Sequence, residues 1–308
     1  MVFGHPALAV AIEQGVSVKI EESDDWTLEG SQFDPSRHPH ITHILKNVFN
    51  YSGPPLQIDV KSSLFSAAGM GSSAALSNAF GAALHEHISP GESIDQIRLA
   101  RMAHSAEANA QKGRASPTDT ATSALGGCVV VSDSKVPGTK HVFDTSLETP
   151  EGSRSWSINT VQIPREIEES WLVLGYSGIG SPTGKMVANV ARLISKRPER
   201  MEDMGRIANI TMAGLTALSA ANLEALGMAM DACHEILKNL EVSTPKLDRM
   251  VQAARPHSLG AKLTGAGGGG CMVALTKDPN RVSEAIEVAG GRPLSTRLGA
   301  EGVRSMLQ

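Results

Sequence analysis

The 308-residue sequence predicts a protein of the α/β or α+β class that is long enough for two domains. Three observations indicate this class. Strand-like apolar runs recur in both halves, helical segments lie between them, and a polar stretch rich in proline and glycine divides the chain at 132–168. Hydrophobic residues make up 41% of the chain and charged residues 19%, which is typical of a globular protein with a substantial core.

The first half of the chain is predicted to begin with strands. Residues 7–20 mix apolar runs with alternation, and "LQIDVKS" at 56–62 alternates apolar and polar side chains, as in a half-buried strand. Amphipathic periodicity predicts helices over 38–50 and 93–112, and an alanine-rich helix follows the "GMGSS" turn between them. "TDTATSALGGCVVVSD" at 118–133 predicts a turn, a short helix and a strand.

The second half follows the polar stretch 132–168, which is predicted to be a hairpin excursion or an interdomain segment. "SWLVLGYS" at 170–177 predicts a buried strand, and helical patterns dominate 184–255. "GCMVALT" then predicts a strand, "NRVSEAIEVAG" a helix, and "RPLSTRLGAEGVRSML" a closing strand and tail.

Composition narrows the class of function. The formal net charge is −4, so no basic excess favours nucleic acid or an anionic membrane surface as a partner. A small anionic ligand would need a local positive site. The three cysteines, Cys128, Cys233 and Cys271, are scattered without CxxC spacing, which indicates core thiols in a reducing cytoplasm. No apolar run reaches the ~20 residues that span a bilayer, and no signal peptide is expected.

Glycine-rich turns stand out at two places. In "AAGMGSSAAL" at 67–76 the turn enters a predicted helix, whose free amides and dipole favour phosphate. A capped helix after a tight turn is the plainer interpretation, and the spacing fits neither a Walker loop nor a dinucleotide-binding fingerprint. "KLTGAGGGGCMVAL" at 262–275 is either a flexible loop or a backbone that approaches another segment or a ligand. Its place before an apolar strand favours close approach.

Two carboxylates accompany these turns. Asp119 lies in a Pro-Thr-Asp-Thr turn at a predicted helix start, where it is either an N-cap or a catalytic carboxylate on a rigid turn. Glu107 lies twelve residues earlier on a helix, as a solvated residue or a metal ligand. His85, His87, His104, His234 and His257 lack the spacing of metal ligands and are expected at the surface or as satisfied core residues.

The motifs together resemble one family. "GMGSSA" at 69–74, "ASPTDT" at 115–120 and "KLTGAGGGGC" at 262–271 are similar, in order and spacing, to the second motif, the catalytic turn and the third motif of the GHMP small-molecule kinases. "VFGHPALAVAI" at 2–12 and "TGKMVANV" at 183–190 extend the resemblance over nearly the whole chain. Within the superfamily the motifs are most similar to the archaeal type of mevalonate kinase.

The resemblance implies an α+β, two-domain GHMP kinase fold. Residues 1–167 are expected to form a ribosomal S5-like N-terminal domain and residues 168–308 a ferredoxin-like C-terminal domain, with ATP and substrate in the cleft between them. The implied function is ATP-dependent phosphorylation of the C5 hydroxyl of mevalonate, with ATP and Mg²⁺ as cofactors. A homodimer is expected from relatives, and neither nucleic acid nor a membrane is an expected partner.

The resemblance also implies roles for individual residues. Asp119 is the expected catalytic carboxylate, and Ser72 or Ser73 together with Glu107 is expected to hold Mg²⁺. Thr183 is expected to face the substrate. The residues expected to surround the nucleotide phosphates are Ala67, Ala68, Gly69, Met70, Gly71, Ser72, Ser73, Ala74, Gly265, Ala266, Gly267 and Gly268.

Two departures from the family pattern leave alternatives open. The sequence begins where the family's first motif, with its lysine and a nearby histidine, would already have ended. Either the N-terminal domain is truncated at its start, or the chain is a weak kinase or a nucleotide-binding pseudokinase. Phe65 stands where the phosphate-loop motif often carries proline. Within the superfamily, phosphomevalonate kinase, mevalonate 3-kinase and diphosphomevalonate decarboxylase are further alternatives.

Overall fold

The computed structural model describes residues 5–65, 68–149 and 152–305, which form three four-stranded sheets flanked by helices. The elements in chain order are β1 (Ala7–Val10), β2 (Val16–Glu22), β3 (Thr27–Leu28), β4 (Ser31–Gln32), α1 (Pro39–His43), β5 (Leu56–Ser62), α2 (Ser72–Ile88), α3 (Gln96–Ala110), α4 (Thr118–Leu125), β6 (Cys128–Ser132), β7 (Lys140–Thr149), β8 (Gly152–Val161), α5 (Arg165–Glu168), β9 (Trp171–Tyr176), α6 (Thr183–Lys196), α7 (Arg200–Ser219), α8 (Leu223–Asn239), α9 (Pro245–Ala254), β10 (Gly260–Leu263), β11 (Cys271–Thr276), α10 (Pro279–Val288) and β12 (Arg292–Thr296). A π-helical turn, Ile44–Val48, continues α1, and a 3-10 turn, Arg255–His257, follows α9.

The first half of the chain contains two of the sheets. One has the order β1-β6-β8-β7 and is antiparallel throughout. The other has the order β2-β5-β3-β4, in which β3 and β5 run parallel. Helices α2, α3 and α4 pack over both sheets, and their apolar sides meet in a core that includes Phe80, Leu84, Ile58, Val131 and Ile158. This core positions the heads of α2 and α4, which carry two of the sequence motifs.

The second half of the chain forms the third sheet, with the order β10-β11-β9-β12 and antiparallel pairing throughout. If β9, β10, β11 and β12 are numbered 1 to 4 along the chain, their order across the sheet is 2-3-1-4. This is the ferredoxin-like order. Helices α9 and α10 cover one face, where Leu247, Met250 and Ile286 pack on Val173 and Met272. The predicted α+β class and the ferredoxin-like second half are confirmed.

A third apolar cluster joins the two halves. Val130 of β6 packs with Leu215 of α7 and Leu226 of α8 in a cluster that also includes residues of the third sheet. The chain then returns to the first half after β12, because Leu298 forms a β-bridge with Ile12 and residue 301 forms another with residue 126. The boundary between residues 167 and 168 stays a prediction, although all strands of the third sheet lie after it.

The first-turn amides of the helices differ in whether a side chain caps them with a hydrogen bond. The side chains of Asp95, Asn222, Thr244 and Asp278 accept hydrogen bonds from the first-turn amides of α3, α8, α9 and α10. Helix α2 instead begins after Gly71, which has a φ of 71° and offers no side-chain cap. The first amides of α2 are therefore left for another acceptor.

Most predicted elements are present, with shifted bounds. The strand predicted over 56–62 is β5, the stretch 7–20 is divided into β1 and β2, and the polar stretch 132–168 contains the β7–β8 hairpin. Cys128 and Cys271 are buried, and burial raises the pKa of each thiol to about 12. Within the described ranges, no helix has the length and apolar composition needed to cross a bilayer.

Candidate active site

The head of α2 offers a group of unused amides at one point. Gly69 and Gly71 both adopt a left-handed backbone, with φ of 70° and 71°, and this turn leads directly into Ser72. The amides of Ser72, Ser73 and Ala74 donate to no other described residue. Because such amides and the helix dipole attract negative charge, the turn can hold the phosphates of a nucleotide.

Asp119 lies against this turn. A Cβ atom added to Gly71 would be 3.4 Å from the Cβ of Asp119, an ordinary contact distance, so the head of α2 and Asp119 are direct neighbours, and the φ of 71° is what favours glycine at this position. Asp119 is in the first turn of α4 and is one of the residues that line the cleft. A group bound at the amides of α2 would therefore be next to this carboxylate.

Two hydrogen bonds hold the turn that carries Asp119 in place. His104 of α3 is buried, stacks edge-on against Trp156, and its Nε2 lies 3.2 Å from the carbonyl oxygen of Ala115. Burial lowers the pKa of His104, so the neutral ring with a proton on Nε2 donates to that carbonyl. Thr120 Oγ1 donates to the Pro117 carbonyl oxygen at 3.1 Å. The turn is thus fixed at both ends before any ligand binds.

The surroundings of Asp119 favour its protonated form more than water does. Withdrawal of the carboxyl from bulk water inside the cleft, followed by the negative charge of Glu107, raises the pKa of Asp119 from 3.8 to about 6. A carboxylate with a pKa near 6 is a better proton acceptor at neutral pH than an ordinary aspartate.

Glu107 is buried and does not line the cleft itself. Its side chain is buried, with Oε1 3.3 Å from His40 Nε2 and Oε2 accepting from Gln111. Burial alone would raise the pKa of Glu107, but contacts from His40, Ser73 and Gln111 outweigh it, so the pKa is lowered below 4.5 and the group is ionised.

The fit of Mg²⁺ can be judged from these oxygens. Oε1 of Glu107 is buried yet accepts no well-formed hydrogen bond from any residue that the structure describes, so it keeps lone pairs for a cation, and the Ser73 hydroxyl is adjacent. Mg²⁺ in nucleotide sites usually takes one or two protein ligands besides phosphates. No group of three or more His, Cys, Asp or Glu side chains among the described residues is arranged to hold a metal by itself. Ser73 and Glu107 therefore fit Mg²⁺ that arrives with a nucleotide.

The second glycine stretch faces the first one across the cleft. A Cβ atom on Gly265 would lie 2.8 Å from the carbonyl oxygen of Gly69, and one on Gly270 would lie 2.6 Å from that of Ala68. Ser181, in the loop after β9, donates through Oγ to the carbonyl oxygen of Gly267 at 2.8 Å. We call residues 68–71 the first glycine ribbon and residues 265–270 the second. The two ribbons can approach this closely only because glycine has no side chain at Gly265 and Gly270.

The predicted phosphate residues are not all at the surface of the cleft. Gly265 and Ala266 line it, together with Gly69, Met70 and Gly71. Gly268 lies behind, where its amide donates to Val242 and a Cβ atom would meet Met186 at 2.5 Å. Gly267 likewise abuts Val242. Ala67 lies outside the described residues.

Phe65 joins the first glycine ribbon to the other half of the molecule. Its ring stacks on Tyr176 of β9 with a centroid distance of 5.1 Å, and the guanidinium of Arg292 lies 5.1 Å from the Phe65 centroid. The residue that departs from the family pattern therefore has a local structural role. Sequence reasoning missed this contact because the partners of Phe65 are distant in sequence, and it missed Ser181 and His40 because neither belongs to a motif.

Comparison with known proteins identifies the family. The GHMP kinases N terminal domain matches residues 39–127, and the GHMP kinases C terminal domain matches residues 215–292. The mevalonate kinase of Pyrococcus furiosus is 33% identical over 99% of this chain and 93% of its own length, and that of Thermococcus gammatolerans is 32% identical over 99% and 93%. The chain belongs to the GHMP kinases.

Solved structures agree with this GHMP kinase fold. A mevalonate kinase from L. major in complex with R-mevalonate superposes with a TM-score of 0.77 at 20% identity, covering 98% of this chain and 92% of that one. A galactokinase from Lactococcus lactis complexed with galactose gives 0.69 at 17% identity, with coverages of 98% and 89%. At these identities the likeness concerns the fold. Family membership makes the chain an ATP-dependent kinase that uses ATP with Mg²⁺.

The GHMP kinase cleft is continuous and wide. It belongs to a connected open space of about 2410 Å³ that extends beyond the motif residues, over residues of β2, α7 and α8. Asp119, Thr183 and Gly265 all line it, so residues from both halves of the chain face the same space.

Proposed function

We propose that this GHMP kinase transfers the γ-phosphoryl group of ATP to the C5 hydroxyl of mevalonate and forms 5-phosphomevalonate. The observation that carries the chemistry is the contact between the uncapped head of α2 and Asp119. The choice of acceptor is supported by relatives named mevalonate kinase that exceed 30% identity over nearly the whole chain.

The residues divide the reaction between them. The amides of Ser72, Ser73 and Ala74 and the ribbon around Gly265 bind the phosphates and align the γ-phosphorus. Asp119 accepts the proton of the C5 hydroxyl while the bond from that oxygen to phosphorus forms and the bond to the β,γ-bridging oxygen breaks, which releases ADP. Alignment and charge stabilisation supply most of the rate enhancement in such transfers.

Ser73 and Glu107 are the proposed residues for Mg²⁺, because both present oxygen ligands next to the phosphate-binding amides. When bound, Mg²⁺ neutralises charge on the phosphates during transfer. Gln111 and His40 both contact the Glu107 carboxylate. These two side chains therefore restrain the orientation of the proposed metal-binding carboxylate.

The test is an assay of ADP release with a panel of acceptors. The purified chain is incubated with ATP, Mg²⁺ and either mevalonate, phosphomevalonate, diphosphomevalonate, galactose or homoserine. We expect ADP with mevalonate alone, and ³¹P NMR of the product should give one phosphomonoester at C5. ADP formation with a different acceptor, or CO₂ release from diphosphomevalonate, would contradict the proposed substrate. ATP binding without ADP from any acceptor would identify a pseudokinase.

The proposal extends to the assembly and the location of the protein. A homodimer is inferred from the family resemblance, and a cytoplasmic location from scattered cysteines that are free thiols among the described residues. Light scattering coupled to size-exclusion chromatography is expected to give a mass near twice the 32.4 kDa of one chain. A mass near 32.4 kDa at micromolar concentration would contradict the dimer.

A further inference from the structure

Two polar residues lie in the buried centre of α2, the helix whose head binds phosphate. Ser77 and Asn78 both have 0% exposure, and they are followed by Phe80 and Leu84 on the same buried side. Asn78 reaches out of its own helix, because its Nδ2 donates to the carbonyl oxygen of Thr120 at 3.0 Å. Thr120 is the neighbour of the catalytic Asp119.

Stability does not explain this asparagine. Its Oδ1 is buried and has no hydrogen-bond partner in the part of the chain that the structure describes, and an unsatisfied buried polar atom costs roughly 1–3 kcal/mol. The single hydrogen bond that Nδ2 makes returns only about 0.5–1.5 kcal/mol. A leucine of similar shape would fill the same space without the unsatisfied oxygen. The side chain therefore has a use that packing does not supply.

We propose that Asn78 is a positioning residue that fixes Asp119 relative to the phosphate-binding head of α2. The two helices touch at Gly71 and Asp119, and the Asn78–Thr120 hydrogen bond is a second tie deeper in the same pair. Asn78 is six residues after Ser72, which is about 9 Å along the helix axis. Apolar packing of Ala121 and Ala124 holds α4 in the core, and the directional hydrogen bond from Asn78 sets the orientation of α4 relative to α2.

The geometry of transfer depends on that orientation. Asp119 has to meet the hydroxyl of the acceptor while the phosphates stay on the amides of α2. A displacement of about 1 Å in such a site can cost about 10²-fold in rate. Asn78 touches neither ligand, so it acts through Asp119 and not through the affinity for nucleotide. This inference rests on the proposed role of Asp119.

The test compares Asn78→Leu with Ser77→Ala as the matched control. Both positions are fully buried on the same helix, but Ser77 Oγ has no partner among the described residues. We expect Asn78→Leu to lower kcat by about 10–100-fold. Its dissociation constant for a non-hydrolysable ATP analogue should stay within about three-fold of the original value, and its melting temperature should not fall. Ser77→Ala should leave kcat within about two-fold. Asn78→Ala is measured alongside, in case leucine is not accommodated.

Two further measurements separate positioning from a merely structural role. The kcat of Asn78→Leu combined with Asp119→Asn should equal that of Asp119→Asn alone, because the asparagine acts through that carboxylate. Hydrogen exchange in the peptide 115–125 of the ligand-free protein should be several-fold faster in Asn78→Leu than in Ser77→Ala. An unchanged exchange rate, an unchanged kcat or a fully additive double variant would overturn the inference. The exchange measurement decides it even if the wild-type chain phosphorylates no acceptor, which would refute the proposed function instead.

Discussion

Asp119 is less stable as a charged group in the folded chain than in water. Its folded pKa of about 6 exceeds the ordinary 3.8, so folding favours the protonated carboxyl. The stability that protonation contributes is present below pH 3.8 and is lost as the pH rises from 3.8 through 6. Above pH 6 the ionised side chain is a net cost to folding, as expected of a residue kept for the proposed proton transfer.

Asp119→Asn is therefore expected to stabilise the fold at pH 7.5. The full shift from 3.8 to about 6 corresponds to about 3 kcal/mol, but water in the open cleft screens the charge, so we expect an increase of about 1 kcal/mol. Urea unfolding measures it, and the gain should shrink toward pH 4. The exposed Asp24→Asn is the control and should change little. A loss of stability in Asp119→Asn at pH 7.5 would contradict this account of the carboxyl.

The titration of Asp119 can be observed directly in the ligand-free protein. Carbon-13 NMR of the aspartate carboxyls is expected to show one group with a pKa near 6 that is missing in Asp119→Asn. In Glu107→Gln this pKa should be lower, because the negative charge of Glu107 is one of its two causes. A value near 3.8 in the unmodified chain would refute the proposed environment.

At this scale the sequence predicted the residues around Asp119 better than the residues that support them, and the chemical roles of these residues stay predictions. Asp119, Glu107 and the serines were predicted from local motifs. Asp119 contacts the turn before α2, and Ser73, in the first turn of α2, lies next to Glu107. His40 and Asn78 were not predicted, because each acts on a partner more than 40 residues away in sequence. Such contacts depend on helix packing and leave no local pattern.

At the scale of elements, the two glycine ribbons form a single unit. Gly265→Ala is expected to weaken binding of an ATP analogue by about 10-fold, because its Cβ would lie 2.8 Å from the Gly69 carbonyl oxygen and push the ribbons apart. Gly138→Ala is the matched control, since its φ of 77° is similar but nothing lies within 4 Å. Calorimetric titration measures both. Equal affinities for the two variants would show that the ribbons do not need close approach.

The Phe65–Tyr176 stack is expected to hold the first ribbon in place. Phe65→Leu removes the stacking and the contact with Arg292, so the dissociation constant of an ATP analogue should rise about three- to ten-fold, as expected for a lost contact of about 0.5–1.5 kcal/mol. Phe33→Leu is the control, because Phe33 packs on Trp26 away from the cleft. If both variants bind the analogue equally well, the stack does not order the ribbon.

Element prediction succeeded where periodicity was long and failed where it was short. Strand β5 and helix α3 carry clear patterns of seven and fifteen residues. Strands β3 and β4 have two residues each, and their pairing depends on β5 rather than on their own sequence. Strand β10 was missed because "GAKL" has no alternation and is defined by its pairing with β11.

At the scale of the whole molecule, the site exists because the chain crosses between its halves more than once. The shared apolar cluster of β6, α7 and α8 and the returning residues around Leu298 hold the first two sheets against the third. The resemblance predicted the α+β class and the cleft between the halves. The returning segment was not predicted, because its partners are set by tertiary packing.

The turnover of ATP and mevalonate by the unmodified chain and by Asp119→Asn, measured side by side with ³¹P NMR of the product, tests the central claim most directly. We expect 5-phosphomevalonate from the unmodified chain and a kcat lowered by about 10²–10⁴-fold in the variant, which still binds an ATP analogue. Equal turnover by the two proteins, or no phosphorylated product from the unmodified chain, would contradict the claim that the two glycine ribbons and Asp119 together form a mevalonate kinase site.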